Sequence, residues 1–295
     1  MATVDVSVPS EAKPSSDFFY FSREAMRDLG LRHAEAFQSA KPFPHVVIDD
    51  FLPLEVARRI ASTFPDSAYP GWRLTGPGDA KHSNDRRIEK LTTGNEETFP
   101  PYIRHVMYGL QSGVFCDFLS RLTGIEFLSP DPGFHGCGLH STGRGGRLMV
   151  HVDASRHPDK KMSQVINCLY YCTPDWKPEY GGALELWNED ASACVTKIEP
   201  LFNRMAVFFT GRRSFHGHPH PLACPDGLRR NSLATYYYTT DETKADIDYT
   251  NYVQWVATNE HDAASLQHRV KSRMRKHLPA SVVNRAATWV RRLKS

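Results

Sequence analysis

Arg147-Leu148-Met149-Val150-His151-Val152-Asp153 is the stretch whose reading decides the fold. Leu148 and Val150 alternate against Met149, His151 and Asp153, a period of two that predicts a strand. Side chains at i and i+2 of a strand share a face, so His151 and Asp153 can converge on one ion. A third ligand must come from another strand. Arg204 to Thr210 reads as an apolar strand, and the run Gly211 to His216 follows it directly. Two histidines and one carboxylate form the ligand set of a mononuclear non-haem iron(II) site, with one face of the octahedron left open. Taken alone, such a tripeptide is more often a pair of polar residues at a sheet edge. The surrounding residues reverse that balance.

The stretch from Gly227 to Thr239 (GLRRNSLATYYYT) reads as a turn followed by a buried strand. Arg230, Ser232 and Ala234 share one of its faces. A guanidinium entering an apolar strand needs an anionic partner, because burying it unpaired is costly. A dicarboxylate supplies planar two-point geometry. The bland reading is an ion pair with one of the chain's 33 acidic residues. A slip of one residue would exchange Arg229 for Arg230 in the inward role.

Outward from these strands, the chain divides into four parts. Residues 1–18 are Ser-, Pro- and Val-rich without periodicity and are expected to form a flexible tail. Residues 19–130 form a helical flank that includes a strand leading into the core, with helices expected over 21–40, 54–64, 101–112 and 113–123. In the second of these, Val56, Ala57, Ile60, Ala61 and Phe64 make an apolar stripe behind Pro53. Gly124 stops the last. The polar stretch from Trp72 to about Thr98 reads as a long loop. Residues 131–245 hold strand candidates crowded between turns, which indicates a sandwich or barrel. The fold class is therefore mainly β, with helices on one flank. Residues 246–295 form a basic, helical C-terminal segment.

That segment holds the charge asymmetry of the chain. After Asp262 there is no acidic residue and there are nine Lys or Arg, which takes the remainder of a +3 chain to about −6. Leu266, Val270 and Met274, and then Val282, Ala286, Val290 and Leu293, recur at helical spacing on either side of Pro279. Basic amphipathic helices can lie on an anionic membrane surface. Packing of the apolar stripes on the rest of the protein is the favoured reading. Apart from Trp289, aromatic residues do not interleave with the basic ones, which argues against nucleic acid. Six cysteines without a CxxC spacing argue against a zinc ribbon and against a secreted disulfide framework. With no evident signal peptide and no apolar run approaching a membrane span, a cytoplasmic location is expected.

Six motifs, in order, carry a family resemblance. They are Pro42–Pro53 (PFPHVVIDDFLP), His151-Val152-Asp153, Gln164–Trp176 (QVINCLYYCTPDW), Gly181–Trp187 (GGALELW), Ile198–Phe209 (IEPLFNRMAVFF) and Arg230–Leu233 (RNSL). The chain resembles the iron(II)- and 2-oxoglutarate-dependent dioxygenases, in their prolyl-hydroxylase-like branch, from about Phe43 to Thr240. The resemblance implies a double-stranded β-helix, the jelly roll of cupins. It implies that His151, Asp153 and His216 bind Fe(II). It implies that Arg230, with Tyr171 and Ser232, holds the 2-oxoglutarate cosubstrate, and that Arg230 rather than Arg229 points inward. The implied reaction is hydroxylation of an unactivated C–H bond of a prolyl, amino-acid or natural-product substrate by dioxygen, with ascorbate an admissible reductant. Halogenating relatives lack the carboxylate that Asp153 supplies.

The chain also departs from the family pattern. His216 and Arg230 are 14 residues apart, a longer gap than usual, and the loop between them carries His218 and His220. Either could reach the site, and His218 could compete as a ligand, although loop surface is the commoner fate. The usual tyrosine of the preceding strand has no match in Gly138–Thr142, where His140 or Ser141 could serve instead. Two other classes remain. A zinc-type, redox-inert cupin-like hydrolase would need no Arg230, and a non-catalytic binding barrel would not retain iron.

Overall fold

The structure is a computed structural model, and it describes residues 18–74, 87–246 and 253–258. The first helix, α1 (Arg23–Ser39), starts where the Ser22 hydroxyl accepts the Ala25 amide. It is followed by β1 (His45–Ile48), α2 (Leu54–Thr63), β2 (Arg73–Leu74) and β3 (Arg87–Thr93). Next come α3 (Pro101–Leu110) and α4 (Gly113–Thr123), the latter closed by Gly124 at φ 72°. Then β4 (Ser129–Pro130), β5 (Gly138–Val152), β6 (Ser163–Tyr171), β7 (Leu184–Trp187), β8 (Cys194–Ile198), β9 (Arg204–Phe209), β10 (His216–His218), β11 (Arg230–Thr239) and β12 (Gln254–Trp255) follow.

The strands hydrogen-bond in the order β1-β9-β6-β11-β5-β10-β7-β8, antiparallel throughout. β5 belongs to both halves of this order. Its first part, Gly138 to Thr142, pairs with β11, and its second part pairs with β10. Gly145, at φ 73°, lies between the two parts, in a backbone conformation that costs glycine little. One sheet is therefore β9-β6-β11-β5 and the other is β5-β10-β7-β8. This is the double-stranded β-helix, a mostly antiparallel sheet rolled into a nearly closed barrel, with four α-helices among the described residues.

β6 shows how both faces are filled. Ile166, Cys168 and Tyr170 join a large apolar cluster with Ile103, Met107, Phe115, Phe118 and Leu122 of the helices. Asn167 and Leu169 face a cavity inside the barrel. Tyr171 packs with Leu184, Leu186, Ile198, Ala206 and Phe208 in a smaller interior cluster. A strand buried on both faces reads as a nearly continuous apolar run, as VINCLYYC does. All six cysteines are free thiols. In the IEPLFNRMAVFF motif, Asn203 sits at φ 60° and is structural. Its amide oxygen accepts from Leu52 N (3.0 Å) and from the Tyr170 hydroxyl (2.9 Å), and its amide nitrogen donates to Leu52 O (2.8 Å).

The loop expected from Trp72 to Thr98 is corrected over its described residues, and residues 75–86 lie outside them. Within it, β2 and β3 pair as a hairpin, and β3 runs along both parts of β5, from Arg87 opposite Leu148 to Thr93 opposite Leu139. Lys90 and Thr92 on β3 and Arg73 on β2 line the barrel cavity. A strand whose inward side chains wall a polar cavity shows no apolar alternation, so the period-two signal is absent from its sequence.

The two parts of β5 also depart from simple alternation. His216 opposes His151 while His218 opposes Leu148, so two steps on β10 span three on β5. This bulge lets Leu148 and His151 both face the cavity, and Met149 is not among its walls. The grouping of Met149 with His151 and Asp153 is corrected accordingly. Gly217 sits at the bulge, where a Cβ would lie 2.8 Å from Met149 O and 2.9 Å from Leu148 O.

Beyond Lys244, the chain returns to the barrel as β12. Gln254 opposes Val152 and Trp255 opposes His151, and Val256 N donates to Val150 O (2.9 Å). The helical stripes of residues 266–293 lie outside the described residues. Among the described residues, no helix is long and apolar enough to cross a membrane.

Candidate metal centre

β5 and β10 bring His151 and His216 into register, and Asp153 lies one residue past the end of β5. One ligand atom from each of the three lies within 4.8 Å of the others. The His151 Nε2 is 3.4 Å from Asp153 Oδ1, and the His216 Nε2 is 3.7 Å from Asp153 Oδ2. The backbone sets both imidazoles. His151 Nδ1 lies 2.9 Å from Met149 O, and His216 Nδ1 lies 2.8 Å from Ser214 O. A carbonyl only accepts, so each Nδ1 carries a proton, and each Nε2 is the ring nitrogen that faces Asp153. On the other side, Gln164 Nε2 and Asn167 Nδ2 each donate to Asp153 Oδ2 at 3.2 Å.

The electrostatics match this arrangement. Burial pushes the Asp153 carboxyl up, but the His216 and His151 imidazoles and the Asn167 amide outweigh it and hold the group far below the usual carboxylate range. Burial, then His151, pushes His216 down to about 4. An ionised carboxylate and neutral imidazole are the protonation states that bind metal.

Arg230 opens β11 and is 6% exposed. Its Nε donates to Gly182 O (2.7 Å) and its Nη2 to the Tyr171 hydroxyl (3.3 Å), with the guanidinium 4.9 Å from the centre of the Tyr171 ring. Burial pushes the Arg230 pKa down, and Tyr171 partly restores it. Arg229 turns the other way, to Ser141 Oγ (2.8 Å), Ser141 O (3.1 Å) and Glu89 O (3.0 Å). Arg230, Ser232, His151, Asp153 and His216 all line one cavity of about 620 Å³. That size suits a small-molecule site. Tyr171 stands behind Arg230 and is not among the lining residues. Among the described residues, Asp153 is the only carboxylate in the lining, against Arg73, Lys90 and Arg230.

The remaining histidines separate. His140, opposite both Ser232 and Thr92, faces the cavity. Ser141 turns away and donates to Asn231 Oδ1 (2.7 Å). His218 is buried in the cavity wall, so the surface-loop reading is corrected for it. It lies outside the group of three converging ligands. The His220 side chain is 70% exposed, 3.7 Å from Glu185, and is not among the lining residues. A second cluster, Asp131, His135 and His157, sits at the cavity rim. Its groups already satisfy one another. Asp131 accepts the amides of Gly133 and His135, and His157 Nε2 donates to Asp131 while its Nδ1 accepts the Asp159 amide. This pattern caps a turn.

Three neighbours escape sequence reasoning. Gln164 and Asn167 orient the carboxylate. Asn167 could have been found from its position two and four residues before Leu169 and Tyr171 on one strand face. Trp255 stacks on the His151 ring, centroids 4.8 Å apart and planes 25° apart, and no signal in the sequence pointed to it. A truncation after about Asp262 keeps β12 and should leave metal binding unchanged. Trp255→Ala should weaken it by roughly 10-fold, the low end for groups that orient a metal ligand. Calorimetric titration of both proteins with nickel(II) checks this.

Two histidines and an aspartate thus converge in one cavity with a buried arginine, inside a double-stranded β-helix, an arrangement that could hold a metal ion. Residues 137–238 match the family model described as the 2OG-Fe(II) oxygenase superfamily. The relatives are prolyl hydroxylases. Mouse "Prolyl hydroxylase EGLN3" is 30% identical over 101 residues, covering 34% of this chain and 38% of the relative. Human "Egl nine homolog 1" is 28% identical over 108 residues, covering 36% and 23%. The chain thus spans well under half the length of these relatives. A solved prolyl hydroxylase from Trichoplax adhaerens, in complex with a hypoxia inducible factor peptide fragment, aligns at a TM-score of 0.49 and 18% identity, covering 75% of this chain and 92% of that one.

Proposed function

We propose that this protein is an iron(II)- and 2-oxoglutarate-dependent dioxygenase that hydroxylates an unactivated C–H bond of a prolyl, amino-acid or natural-product substrate. The observation that carries the reading is the pairing, in one cavity, of the His151–Asp153–His216 cluster with the buried Arg230 guanidinium. The residues fit the groups the family uses. The donor set is two imidazoles and one carboxylate, which suits iron(II) with positions left open. Buried polar atoms of the same cavity, His218 Nδ1 and Nε2 and Asn167 Oδ1, have no partner among the described residues. A polar ligand in the cavity would supply them.

The residues divide the work. His151, Asp153 and His216 would hold the metal, and the backbone carbonyls of Met149 and Ser214 keep their imidazoles in the binding tautomer. Arg230, steadied by Gly182 O and Tyr171, would hold the distal carboxylate of 2-oxoglutarate, with Ser232 beside it. The bound pair supplies oxidative decarboxylation of 2-oxoglutarate to succinate, coupled to insertion of one oxygen atom of dioxygen into the substrate. Burial of the cluster keeps bulk water from the reacting atoms. A zinc hydrolase is not favoured, because it has no use for an arginine buried in the cavity wall. The reading extends to a cytoplasmic protein, supported by six free thiols. The partners it implies are dioxygen and a small molecule or peptide.

Anaerobic addition of iron(II) and 2-oxoglutarate tests the reading. A metal-to-ligand charge-transfer band in the visible, followed by succinate formation on admission of air, is the expected result. Iron binding without the band would sink it.

A further inference from the structure

His218 has a chemistry that the proposed mechanism does not use. It is 4% exposed, it lines the cavity, and neither ring nitrogen has a hydrogen-bond partner among the described residues. Among the described residues it is the only side chain with two such atoms. Leaving a buried polar group unpaired is costly, and native proteins rarely do so. Its place is fixed. β10 is held on one edge by β5 and on the other by β7, and the bulge opposite Leu148 turns His218 inward two residues from His216. It is nevertheless not one of the three converging metal ligands.

The surroundings say what it awaits. The cavity it lines also holds the Arg230 guanidinium, the Lys90 ammonium and the His140 ring. Arginine and lysine side chains only donate, so neither can accept from an imidazole N–H. An imidazole carries at least one N–H in every tautomer. That N–H therefore calls for an acceptor, and in a cavity shared with a guanidinium and an ammonium an anionic one.

Resting on the dioxygenase reading, we propose that His218 donates a ring N–H to the carboxylate of 2-oxoglutarate and is, with Arg230, a second anchor for the cosubstrate. It is a binding residue in the cavity and contributes no metal bond. An anion shared by a guanidinium and an imidazole is held from two directions, which sets its orientation toward the metal.

The test uses the full chain loaded with nickel(II), so that binding is read without turnover, and calorimetric titration with 2-oxoglutarate. His218→Leu should weaken 2-oxoglutarate binding by roughly 10- to 100-fold, the range for a hydrogen bond to a charged group. His218→Gln, whose amide can still donate, should recover most of that loss. Nickel(II) affinity in the absence of 2-oxoglutarate should match wild type in both. Wild-type 2-oxoglutarate affinity in a folded His218→Leu overturns the inference alone. Loss of nickel(II) binding in His218→Gln overturns it in favour of a metal-ligand role. Wild type that binds nickel(II) but no 2-oxoglutarate overturns the dioxygenase reading with it. Should His218→Leu not fold, wild type labelled with nitrogen-15 histidine answers the same question. With zinc(II) as a diamagnetic metal, unchanged His218 ring-nitrogen shifts on addition of 2-oxoglutarate overturn the inference.

Discussion

His216→Ala should lose iron retention and turnover together while its circular dichroism stays that of wild type. Removing a residue that merely orients a metal ligand costs about 10- to 100-fold in affinity or activity, so removing a ligand from a three-ligand site should cost more than that. His151→Ala and Asp153→Ala should behave alike. Asp153→Ala carries an additional penalty, because it leaves the Gln164 and Asn167 amides facing a void. The fold should survive each change, because the cluster lies in the cavity rather than in the apolar packing of helices against β6 and β9. Metal content after desalting and succinate production measure the two losses. A His216→Ala protein with full activity, alongside a dead His218→Ala, would reassign the third ligand to His218, the other neighbour of Gly217.

Arg230→Ala should raise the 2-oxoglutarate concentration needed for half-saturation by the roughly 2–5 kcal/mol typical of truncating one partner of a buried charge pair, about 30- to 4,000-fold. The side chain is held by Gly182 O and Tyr171, neither of which carries a negative charge to neutralise it. Glu199 attracts the guanidinium at longer range, so a directly bonded counter-charge is expected from the ligand. Arg229→Ala should change the requirement little, because that guanidinium is bonded to Ser141 and Glu89 O outside the cavity. The comparison is a direct binding titration of both variants. Equal affinities for Arg230→Ala and wild type would remove the anchor.

How much of this could be read from sequence depended on which face each strand presents. β6 and β11 bury both faces, so they appear as apolar runs, and their inward residues follow by counting in twos. His151 and Asp153 are two apart on such a count. The choice between Arg229 and Arg230 turned on a register of one residue, which period-two counting cannot settle but the pairing of Arg230 with Thr142 does. β3 was hidden because its inward residues are Lys90 and Thr92. The bulge between β5 and β10 was hidden because it depends on the partner strand. β10 itself has three residues, too few for any periodicity, and its middle residue must be glycine to let two backbones approach. Trp255 lay beyond reach for another reason. Its contact with His151 spans about a hundred residues and arises from a two-residue strand.

That stacking turns one side chain into an optical probe of the centre. The chain has five tryptophans, and among the described residues only Trp255 lies against a member of the His–Asp cluster. An ion held by His151 is separated from the indole by a single imidazole ring. Open-shell ions such as iron(II) and nickel(II) quench an excited indole at such range, whereas zinc(II), with its filled shell, does not. Intrinsic emission should therefore dim when nickel(II) enters and stay bright with zinc(II), so occupancy can be followed in real time without labels or catalysis.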